Sequence, residues 1–299
     1  MDKTVSVVVP HYGDPDPTTA LIDQLRPQVE SIGEIIVVDD ASPVPYPEQP
    51  GVTVIRRPRN GGFGSTCNSG AQAASGALLL FLNSDTQVAP TFIGDLIAAA
   101  APWQPCVAGP RIAEAAGMNA SARRFPTISQ QFVEWLVPLA RFHHTRRMSK
   151  LLGHDTMVLE SETPGVTDWL VGAAILVPRD EFLAVHGFDE TYFMNCEEVD
   201  LQLRLNKRNI PAVFLPGIVV EHIGGGSSAD EKRRFWVASA RDLYARKWGH
   251  PRTLRAALTT ATFVNLAWNS VRRLKNREIR PLSTARLELA LIYSGQGSH

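Results

Sequence analysis

Short apolar runs that end in polar residues dominate the first third of the chain and constrain its fold more than any other feature. Four such runs are rich in Val, Ile and Leu, which is typical of buried strands. Two segments with helical spacing of apolar residues lie between them. This β-α-β-β-α-β order predicts a parallel sheet covered by helices on both faces. The predicted strands are residues 5–10, 34–38, 52–55 and 77–82, and the predicted helices are residues 18–32 and 65–75.

Polar side chains follow three of these predicted strands, at the point where each strand ends. They occupy residues 11–14, 39–42 and 83–85. In sheets of this kind, ligands bind beyond the carboxyl ends of the strands. The sequence therefore predicts a ligand site at this edge.

The rest of the chain is less regular. Residues 111–165 give no clear pattern, whereas residues 169–177 form another apolar run with Gly172 inside it. Helical spacing returns at residues 199–209, and two short strands are predicted at 212–215 and 218–220. From Arg233 onward the pattern is helical and basic.

Composition narrows the class of protein. The chain has 299 residues, 44% of them hydrophobic, which is enough for one large domain or two modest ones. Its three cysteines are too few and too scattered for a disulfide framework or a thiolate zinc site, which favours a reduced, cytoplasmic compartment. We expect neither a signal peptide nor a membrane-spanning helix, because no basic leader and no apolar run of sufficient length is present.

The zero net charge conceals two unequal parts. Residues 232–286 contain 14 basic and 2 acidic side chains, and the remainder contains 16 basic and 28 acidic ones. An acidic body joined to a basic segment predicts different roles for the two parts.

Three short motifs at the predicted strand ends suit nucleotide chemistry, and each also has a structural explanation. Asn83 and Asp85 are two residues apart and can face one ligand, with Asp85 offering an oxygen to Mg²⁺ or Mn²⁺. Asp39 and Asp40 can accept hydrogen bonds from a base or a sugar. The turn at residues 60–62 can hold phosphate on backbone amides. Asn, Asp and Gly are equally common in plain turns.

A second group of candidates lies late in the chain. Glu197, Glu198 and Asp200 follow Cys196 closely, and crowded carboxylates can raise one pKa to produce a general base. The alternative is the N-terminus of a helix, where acids are favoured. His222 ends a predicted strand and is either a metal ligand or a structural histidine.

Taken in order, these segments resemble family 2 glycosyltransferases of the GT-A type, and in particular bacterial rhamnosyltransferases. The resemblance covers residues 4 to about 228 and implies a Rossmann-like, mixed and mainly parallel sheet flanked by helices. The predicted domains are a nucleotide-sugar glycosyltransferase domain at 1–230 and a basic, amphipathic helical extension at 231–299. The matching segments are VSVVVPHYG, IIVVDDAS, RNGGFGSTCNSGAQAASGALLLFLNSD, DWLVGAAILVPRDEFLAVHGFDETYFMNCEEVDLQLRL and VVEHIGGGSS.

The resemblance implies a role for each matching position. Glu198, or else its neighbour Glu197, is the expected catalytic base, and Asp85 and His222 are the expected metal ligands. This chain departs from the family pattern twice, with Asn83 in place of the first Asp of the metal motif and Glu198 in place of an Asp. The expected wall between donor sugar and acceptor consists of Trp169, Gly172 and Ala173. The expected nucleotide-binding residues are Pro10, His11, Tyr12, Asp39, Asp40, Asn60, Gly61, Asn68, Asn83 and Ser84.

The resemblance also implies the reaction. We expect a metal-dependent single displacement with inversion, assisted by Mg²⁺ or Mn²⁺, from a dTDP- or UDP-sugar to a glycan or polyprenyl-diphosphate-linked acceptor. The preferred donor is dTDP-L-rhamnose, with galactofuranose, GlcNAc, glucose or mannose as alternative sugars. A nucleotide-sugar-binding protein without transferase activity is the alternative from another class. A nucleotidyltransferase is disfavoured because residues 11–15 lack a basic, glycine-rich loop.

The basic segment at residues 233–286 mixes arginines with apolar and aromatic side chains. This pattern favours helices that lie on an anionic membrane surface, and so a peripheral location on the inner face of the bacterial cell membrane. A helical lid and a homodimer interface are the alternatives. Nothing else in the sequence supports nucleic-acid binding.

Overall fold

The computed structural model describes residues 5–28, 30–115, 117–223 and 230–293. The chain divides into two compact units. The first consists of Met1–Arg124 and Met157–Ser227, and the second consists of Phe125–Thr156 and Ser228–His299.

The first unit begins with the alternation of strands and helices expected from the sequence. Its N-terminal elements are β1 (Val5–His11), α1 (Pro15–Leu25), β2 (Ile32–Asp39), β3 (Thr53–Arg56), α2 (Phe63–Ala73), β4 (Leu78–Leu82), β5 (Thr86–Val88) and α3 (Phe92–Ala100). Its next strands are β6 (Val107–Glu114), β7 (Gly117–Met118) and β8 (Ala122–Arg123).

The remaining elements of this unit surround a second set of strands. They are β9 (Gly165–Thr167), β10 (Trp169–Leu170), β11 (Ala174–Pro178), α7 (Arg179–Ala184), α8 (Glu197–Asn206) and β12 (Ala212–His222). The short helix α6 (Thr156–Leu159) spans the boundary between the two units.

The main sheet has the strand order β3-β2-β1-β4-β11-β6-β12-β5. Neighbours among β1 to β4 are parallel, and so are β6 and β12. Strand β11 is antiparallel to both β4 and β6 and joins the two parallel halves. Strands β8 and β10 form a small separate pair. The predicted fold class, a mixed and mainly parallel sheet flanked by helices, is confirmed.

Alternating side chains of the strands supply the two cores on either side of this sheet. Val7 and Val9 of β1 pack on the side covered by α1 and α3. Val8, between them, packs on the other side with residues of α2, α7 and α8. Burial on both faces explains why the strands read as continuous apolar runs rather than alternating ones.

Three predicted elements differ from the structure in extent. Helix α1 ends at Leu25, not at residue 32, because Pro27 follows and cannot donate a helical hydrogen bond. The single strand predicted at 169–177 is two, β10 and β11, because the chain turns near Gly172 from one sheet to the other. The two strands predicted at 212–220 are the single strand β12, whose pairing with β6 shifts between Leu215 and Val219.

The second unit is helical. It contains α4 (Ile128–Trp135), α5 (Arg146–Leu151), α9 (Asp230–Trp248), α10 (Pro251–Arg273) and α11 (Pro281–Tyr293). Ala245, Leu254, Leu258 and Ile292 form its buried core. The segment Phe125–Thr156, which gave no clear pattern in the sequence, belongs to the same unit as the C-terminal helices. The predicted domain boundary at residue 230 stays a prediction.

None of the helices in the described part of the chain is both long enough and apolar enough to cross a membrane.

Candidate functional site

The carboxyl ends of β1, β2 and β4 meet at one edge of the first unit, as the sequence predicted. His11 pairs with Asp39 across β1 and β2, and the amide of Asp40 donates to the carbonyl of His11 at 2.9 Å. On the other side, the amide of Asn83 donates to the carbonyl of Ala173 at 2.9 Å. Residues more than 160 positions apart in the numbering are thereby held within one edge of the sheet.

Asp85 and His222 form an ion pair at this edge. The Nε2 atom of His222 lies 3.1 Å from Oδ1 of Asp85, and Nδ2 of Asn83 lies 3.5 Å from the same histidine nitrogen. The hydrogen bond to Asp85 raises the pKa of His222 despite partial burial. Burial acts to raise the pKa of Asp85, but His222 outweighs it and the net pKa is lowered. Asp85 is therefore held as a carboxylate, the form that a hard cation requires.

These residues fit a divalent cation that also binds a diphosphate. The described residues include no cluster of three His, Cys, Asp or Glu side chains arranged to hold a metal ion by themselves. However, Oδ1 of Asn83 is buried and has no hydrogen-bond partner within the described chain, and its side chain and the ionised Asp85 both lie against Nε2 of His222. Mg²⁺ is usually held by one or two carboxylates together with substrate phosphates, so a complete protein cage is not required.

Glu114 supports His222 from the side opposite Asp85. Its Oε1 atom lies 3.6 Å from Nδ1 of His222 and accepts a hydrogen bond of 2.6 Å from the side chain of Asn119. A carboxylate behind a histidine orients the ring toward whatever the other nitrogen binds. Sequence reasoning missed Glu114, because it ends a strand in the segment that gave no readable pattern.

Asp39 shapes the loop that follows β2. Its carboxylate accepts from the amides of Ser42 at 2.7 Å and Tyr46 at 3.0 Å, and it forms an ion pair with Arg56. Burial acts to raise the pKa of Asp39, but these hydrogen bonds and Arg56 outweigh it and lower the pKa. Contact between Asp39 and a nucleotide stays a prediction.

Asp40 anchors the glycine turn before α2. Its two oxygens accept from the amide of Gly61 at 3.0 and 3.1 Å and from that of Gly62 at 2.9 Å. Arg57 lies behind the same turn and donates to Asp40 at 2.5 Å and to Ser65 at 2.5 Å. A Cβ at Gly61 would lie 2.7 Å from this guanidinium, so a larger residue there would displace Arg57. Sequence reasoning did not single out Arg57.

The other predicted nucleotide residues differ in exposure. His11 is buried and bonded to Thr18 at 2.8 Å, and burial lowers its pKa. Tyr12 and Asn60 are exposed, and Pro10 and Ser84 are partly so. No side-chain hydrogen bond within the described chain joins Tyr12 or Ser84 to the rest of the predicted site.

Asn68 holds the loop that leads toward the carboxylate cluster. Its side chain donates to the carbonyl of Phe188 at 2.9 Å and accepts from the amide of Phe188 at 2.9 Å. It also donates to Glu190 at 3.0 Å. In this structure Asn68 thus secures the protein backbone, and a direct nucleotide contact stays a prediction.

The three carboxylates at the start of α8 have separate environments. Asp200 is buried and paired with Arg204 at 2.8 Å, four residues later on the helix. Glu197 lies beside α2, with its Cβ 3.4 Å from the position that a Cβ on Gly64 would occupy. Glu198 lies beside the β10–β11 turn, with its Cβ 3.5 Å from the corresponding position on Gly172.

Two of these carboxylates have raised pKa values. Burial, followed by the nearby charge of Glu198, raises the pKa of Glu197 well above its ordinary value. Burial also raises the pKa of Glu198. The Oε2 atom of each is buried without a hydrogen-bond partner among the described residues. Only Glu198 also lies beside the predicted sugar wall, which distinguishes two residues that the sequence left equivalent.

The predicted sugar wall is fixed by backbone and aromatic contacts. The indole of Trp169 donates to the carbonyl of Arg124 at 2.9 Å, and the Arg123 guanidinium lies over the same ring at 5.6 Å. Ala173 is buried, and a Cβ on Gly172 would lie in ordinary van der Waals contact with the side chain of Glu198. The wall, Glu198 and Asn83 are therefore adjacent in the structure.

Comparison with known proteins identifies the relatives of this chain. The glycosyl transferase family 2 model matches residues 6–154. The chain is 31% identical over 102 residues to rhamnosyltransferase WbbL of Escherichia coli, a match that spans 34% of each protein. It is 28% identical over 220 residues to the N-acetylglucosaminyl-diphospho-decaprenol L-rhamnosyltransferase of Mycobacterium tuberculosis, covering 68% of this chain and 67% of the relative.

Two solved structures share the fold at low identity. The mannosyltransferase PcManGT of Pyrobaculum calidifontis, in complex with GDP-Man and Mn²⁺, aligns with a TM-score of 0.58 and 14% identity over 97% of this chain and 86% of that one. GalNAc-T7 with UDP, GalNAc and Mn²⁺ aligns with a TM-score of 0.56 and 17% identity over 81% of this chain and 51% of that one.

Proposed function

Because the chain belongs to glycosyltransferase family 2, we propose that it transfers sugar from a nucleotide diphosphate by single displacement, with Glu198 as the general base. One observation carries this assignment. Glu198 has a buried, unpartnered Oε2 among the described residues and lies beside Gly172, at the wall between Trp169 and Ala173. Glu197 lies instead beside Gly64, and Asp200 is bound to Arg204.

The proposed reaction transfers one proton to the enzyme and releases one leaving group, the nucleoside diphosphate. The acceptor hydroxyl oxygen forms a bond to the anomeric carbon, and its proton passes to the Glu198 carboxylate. The bond from that carbon to the diphosphate oxygen breaks on the opposite face, so configuration is inverted. A raised pKa suits this role, because a more basic carboxylate accepts the proton more readily near neutral pH.

Asp85 and Oδ1 of Asn83 would hold Mg²⁺ or Mn²⁺ together with the donor diphosphate, and His222 would join them on losing the proton that it shares with Asp85. The chemistry supplied by the cation when bound is neutralisation of the negative charge on the departing diphosphate. The Mn²⁺ present with both aligned glycosyltransferases supports this part of the proposal. Asp85 contributes by remaining ionised, and Glu114 by orienting His222.

The proposed donor is dTDP-L-rhamnose and the proposed acceptor is a glycan on a polyprenyl diphosphate. The names of the E. coli and M. tuberculosis relatives support the sugar, and that of the M. tuberculosis relative also supports the acceptor class. Because such an acceptor lies in a membrane, the proposal includes peripheral contact of residues 233–286 with its inner face. UDP- or GDP-linked sugars are the alternatives that a donor screen separates.

Replacing Glu198 with Gln tests the base directly. The variant keeps the shape of the side chain but cannot accept a proton, so we expect turnover to fall by roughly 10²- to 10⁴-fold. Donor affinity, measured by calorimetry, should be unchanged. Glu181→Gln, on α7 beside Arg208, is the matched control and should retain full activity. Full activity of Glu198→Gln would remove Glu198 from the mechanism, and loss in Glu197→Gln alone would transfer the role.

A thermal-shift screen tests the donor. The chain is titrated with dTDP-, UDP- and GDP-sugars in the presence of Mn²⁺ or Mg²⁺. The proposal predicts the largest stabilisation with dTDP-rhamnose, because binding to the native state raises the melting temperature. A larger shift with a UDP- or GDP-sugar would replace the rhamnose assignment, and binding without turnover of any acceptor would favour a binding protein.

A further inference from the structure

Helix α10 buries Leu254 and Leu258 in its N-terminal half, as helices usually do, but its C-terminal half exposes four large apolar side chains. Residues 263, 267, 271 and 274 recur at intervals of three or four, lie along one side of this half and are all exposed, and residue 264 is exposed beside them. The four large apolar side chains are Phe263 (58% exposed), Val264 (43%), Val271 (61%) and Leu274 (85%). These four residues are called the apolar strip.

The buried side of this C-terminal half carries Thr262, Asn265 and Asn269, and the hydrogen bonds of Thr262 and Asn265 fix the orientation of the helix. Asn265 accepts from the amide of Val137 at 2.8 Å and donates to the carbonyl of Trp135 at 2.9 Å. The hydroxyl of Thr262 accepts from the Trp135 indole at 3.0 Å. Turning the strip inward would leave these buried groups without partners, which is unfavourable. The exposure of the strip is therefore built into the packing of this unit.

A basic cluster begins within the last turn of the apolar strip and continues beyond it. Its five side chains are all exposed, and Glu278 is the single carboxylate among them. Exposed apolar side chains next to several basic ones match the chemistry of an anionic bilayer, which offers acyl chains beneath a layer of phosphates. The cluster consists of Arg272, Arg273, Lys275, Arg277 and Arg280.

We propose that the apolar strip and the basic cluster bind the surface of an anionic lipid bilayer. The strip enters the boundary between headgroups and acyl chains, while the cluster contacts lipid phosphates. A second copy of the chain suits this side less well, because a symmetric contact would bring two basic clusters close together. The inference rests on the proposed function in one respect: a lipid-linked acceptor is the reason that the enzyme would work at a bilayer surface.

Vesicle sedimentation of the full chain, without donor or acceptor, tests this surface. We expect binding to phosphatidylcholine vesicles containing about 30 mol% phosphatidylglycerol, and little binding to phosphatidylcholine alone. Binding should fall as salt rises from about 50 to about 300 mM, because salt screens the basic cluster. The double variant Val271→Ser and Leu274→Ser should weaken binding by about tenfold or more, since two exposed apolar anchors are lost.

The controls separate this proposal from a general effect of surface substitution. Val44 is as exposed as Val271, at 61%, and lies in the other unit, so Val44→Ser should bind vesicles normally. Donor-induced thermal shift of the double variant should be unchanged, which keeps a failure here distinct from a failure of the proposed function. Equal binding to neutral vesicles, no binding, or a dimer that the double variant disrupts would each overturn the proposal.

Discussion

The side chain of Gln202 hydrogen-bonds to both backbone polar groups of Leu170. Its Oε1 accepts from the Leu170 amide at 2.8 Å, and its Nε2 donates to the Leu170 carbonyl at 2.8 Å. The same Nε2 also lies 3.1 Å from the carbonyl of Glu198, one turn earlier on α8. A single buried amide therefore links the helix that carries Glu198 to the strand that carries Trp169.

Replacing Gln202 with Leu should impair catalysis more than donor binding. The change leaves two buried backbone groups of Leu170 unpaired, at a cost of about 2–3 kcal/mol in the free energy of unfolding. It also loosens the distance between Glu198 and Trp169, so we expect kcat to fall at least about tenfold while the donor dissociation constant stays within about twofold. Steady-state kinetics and calorimetry measure the two quantities separately.

Gln28 offers a matched control for this variant. It is also buried, donates to the carbonyls of Gln24 and Ala89, and accepts from the amide of Ile93. Gln28→Leu should lower stability by a similar amount and leave kcat unchanged. If both variants lose activity in parallel with stability, Gln202 has no positioning role.

Replacing Asp85 with Asn should remove the metal dependence of donor binding. The substitution preserves shape but takes away the ionised oxygen beside Asn83 and His222. In wild type we expect Mn²⁺ to tighten the binding of a nucleoside diphosphate, and in the variant this gain should disappear. Calorimetry with Mn²⁺ and with a chelator makes the comparison. An equal gain from Mn²⁺ in both proteins would place the cation elsewhere.

The pH dependence of turnover should reflect the raised pKa of Glu198. Only the carboxylate form accepts a proton, so kcat/KM should fall as the pH drops through that pKa. Because burial raises the pKa, the acidic limb should lie above 4.5, the ordinary value for glutamate. A profile of kcat/KM measured between about pH 4 and 9 reveals the limb. A flat profile down to the ordinary value would contradict the burial of this carboxylate.

Replacing Glu197 with Gln should stabilise the protein at high pH. The folded pKa of Glu197 lies well above its unfolded pKa, so stability is present below the unfolded value and is lost as pH rises through the folded value. Glutamine stays neutral, and the melting temperature of the variant should exceed that of wild type by about 2–4 °C or more near pH 8. The difference should shrink near pH 5. The same difference in melting temperature between variant and wild type at both pH values would contradict the argument from the titration of Glu197.

Replacing Gly62 with Ala should disrupt the turn that Asp40 anchors. Gly62 has a φ of +84°, and an added Cβ would lie 1.8 Å from the carbonyl oxygen of Phe193. We expect loss of donor binding and a large drop in melting temperature. Gly51→Ala is the control, because Gly51 has a φ of +73° with nothing near its Cβ, and it should cost only about 1–2 kcal/mol. Equal effects would mean that backbone strain alone accounts for both.

The sequence was sufficient to predict the elements whose signal is local. The strands around Val8 and the polar residues at their ends followed from apolar runs and turn chemistry, and the family resemblance placed Asp85 and His222 on one site. The ion pair between those two residues agrees with that placement. Their roles in binding and catalysis stay predictions.

Features that depend on contact between distant residues could not be predicted. A glutamine in a helical segment usually lies on the surface, so nothing near Gln202 indicates that it holds Leu170, 32 residues earlier. Glu197 and Glu198 could be separated only once the helix start after Cys196, with its φ of +67°, fixed where each side chain lies. Amphipathic helices after residue 231 were predicted, but the exposure of Phe263, Val271 and Leu274 on α10 could not be, because an apolar stripe on a helix ordinarily faces the core.

The pairing of β6 with β12 affects the order in which the site can assemble. Val107 pairs with Ala212, so this contact closes a loop of more than 100 residues, whereas β1 and β4 join within the first 82. Long loops tend to close late in folding, because the chain loses the conformational entropy of the loop before the contacts that it closes can stabilise the structure. A chain emerging from the ribosome can therefore complete the β1–β4 half early, but His222 reaches Asp85 only after the last strand docks. The part of the site that contains Asp85 and His222 is thus completed late in folding, and slow folding would be observed first as a shortage of chains in which these two residues are paired.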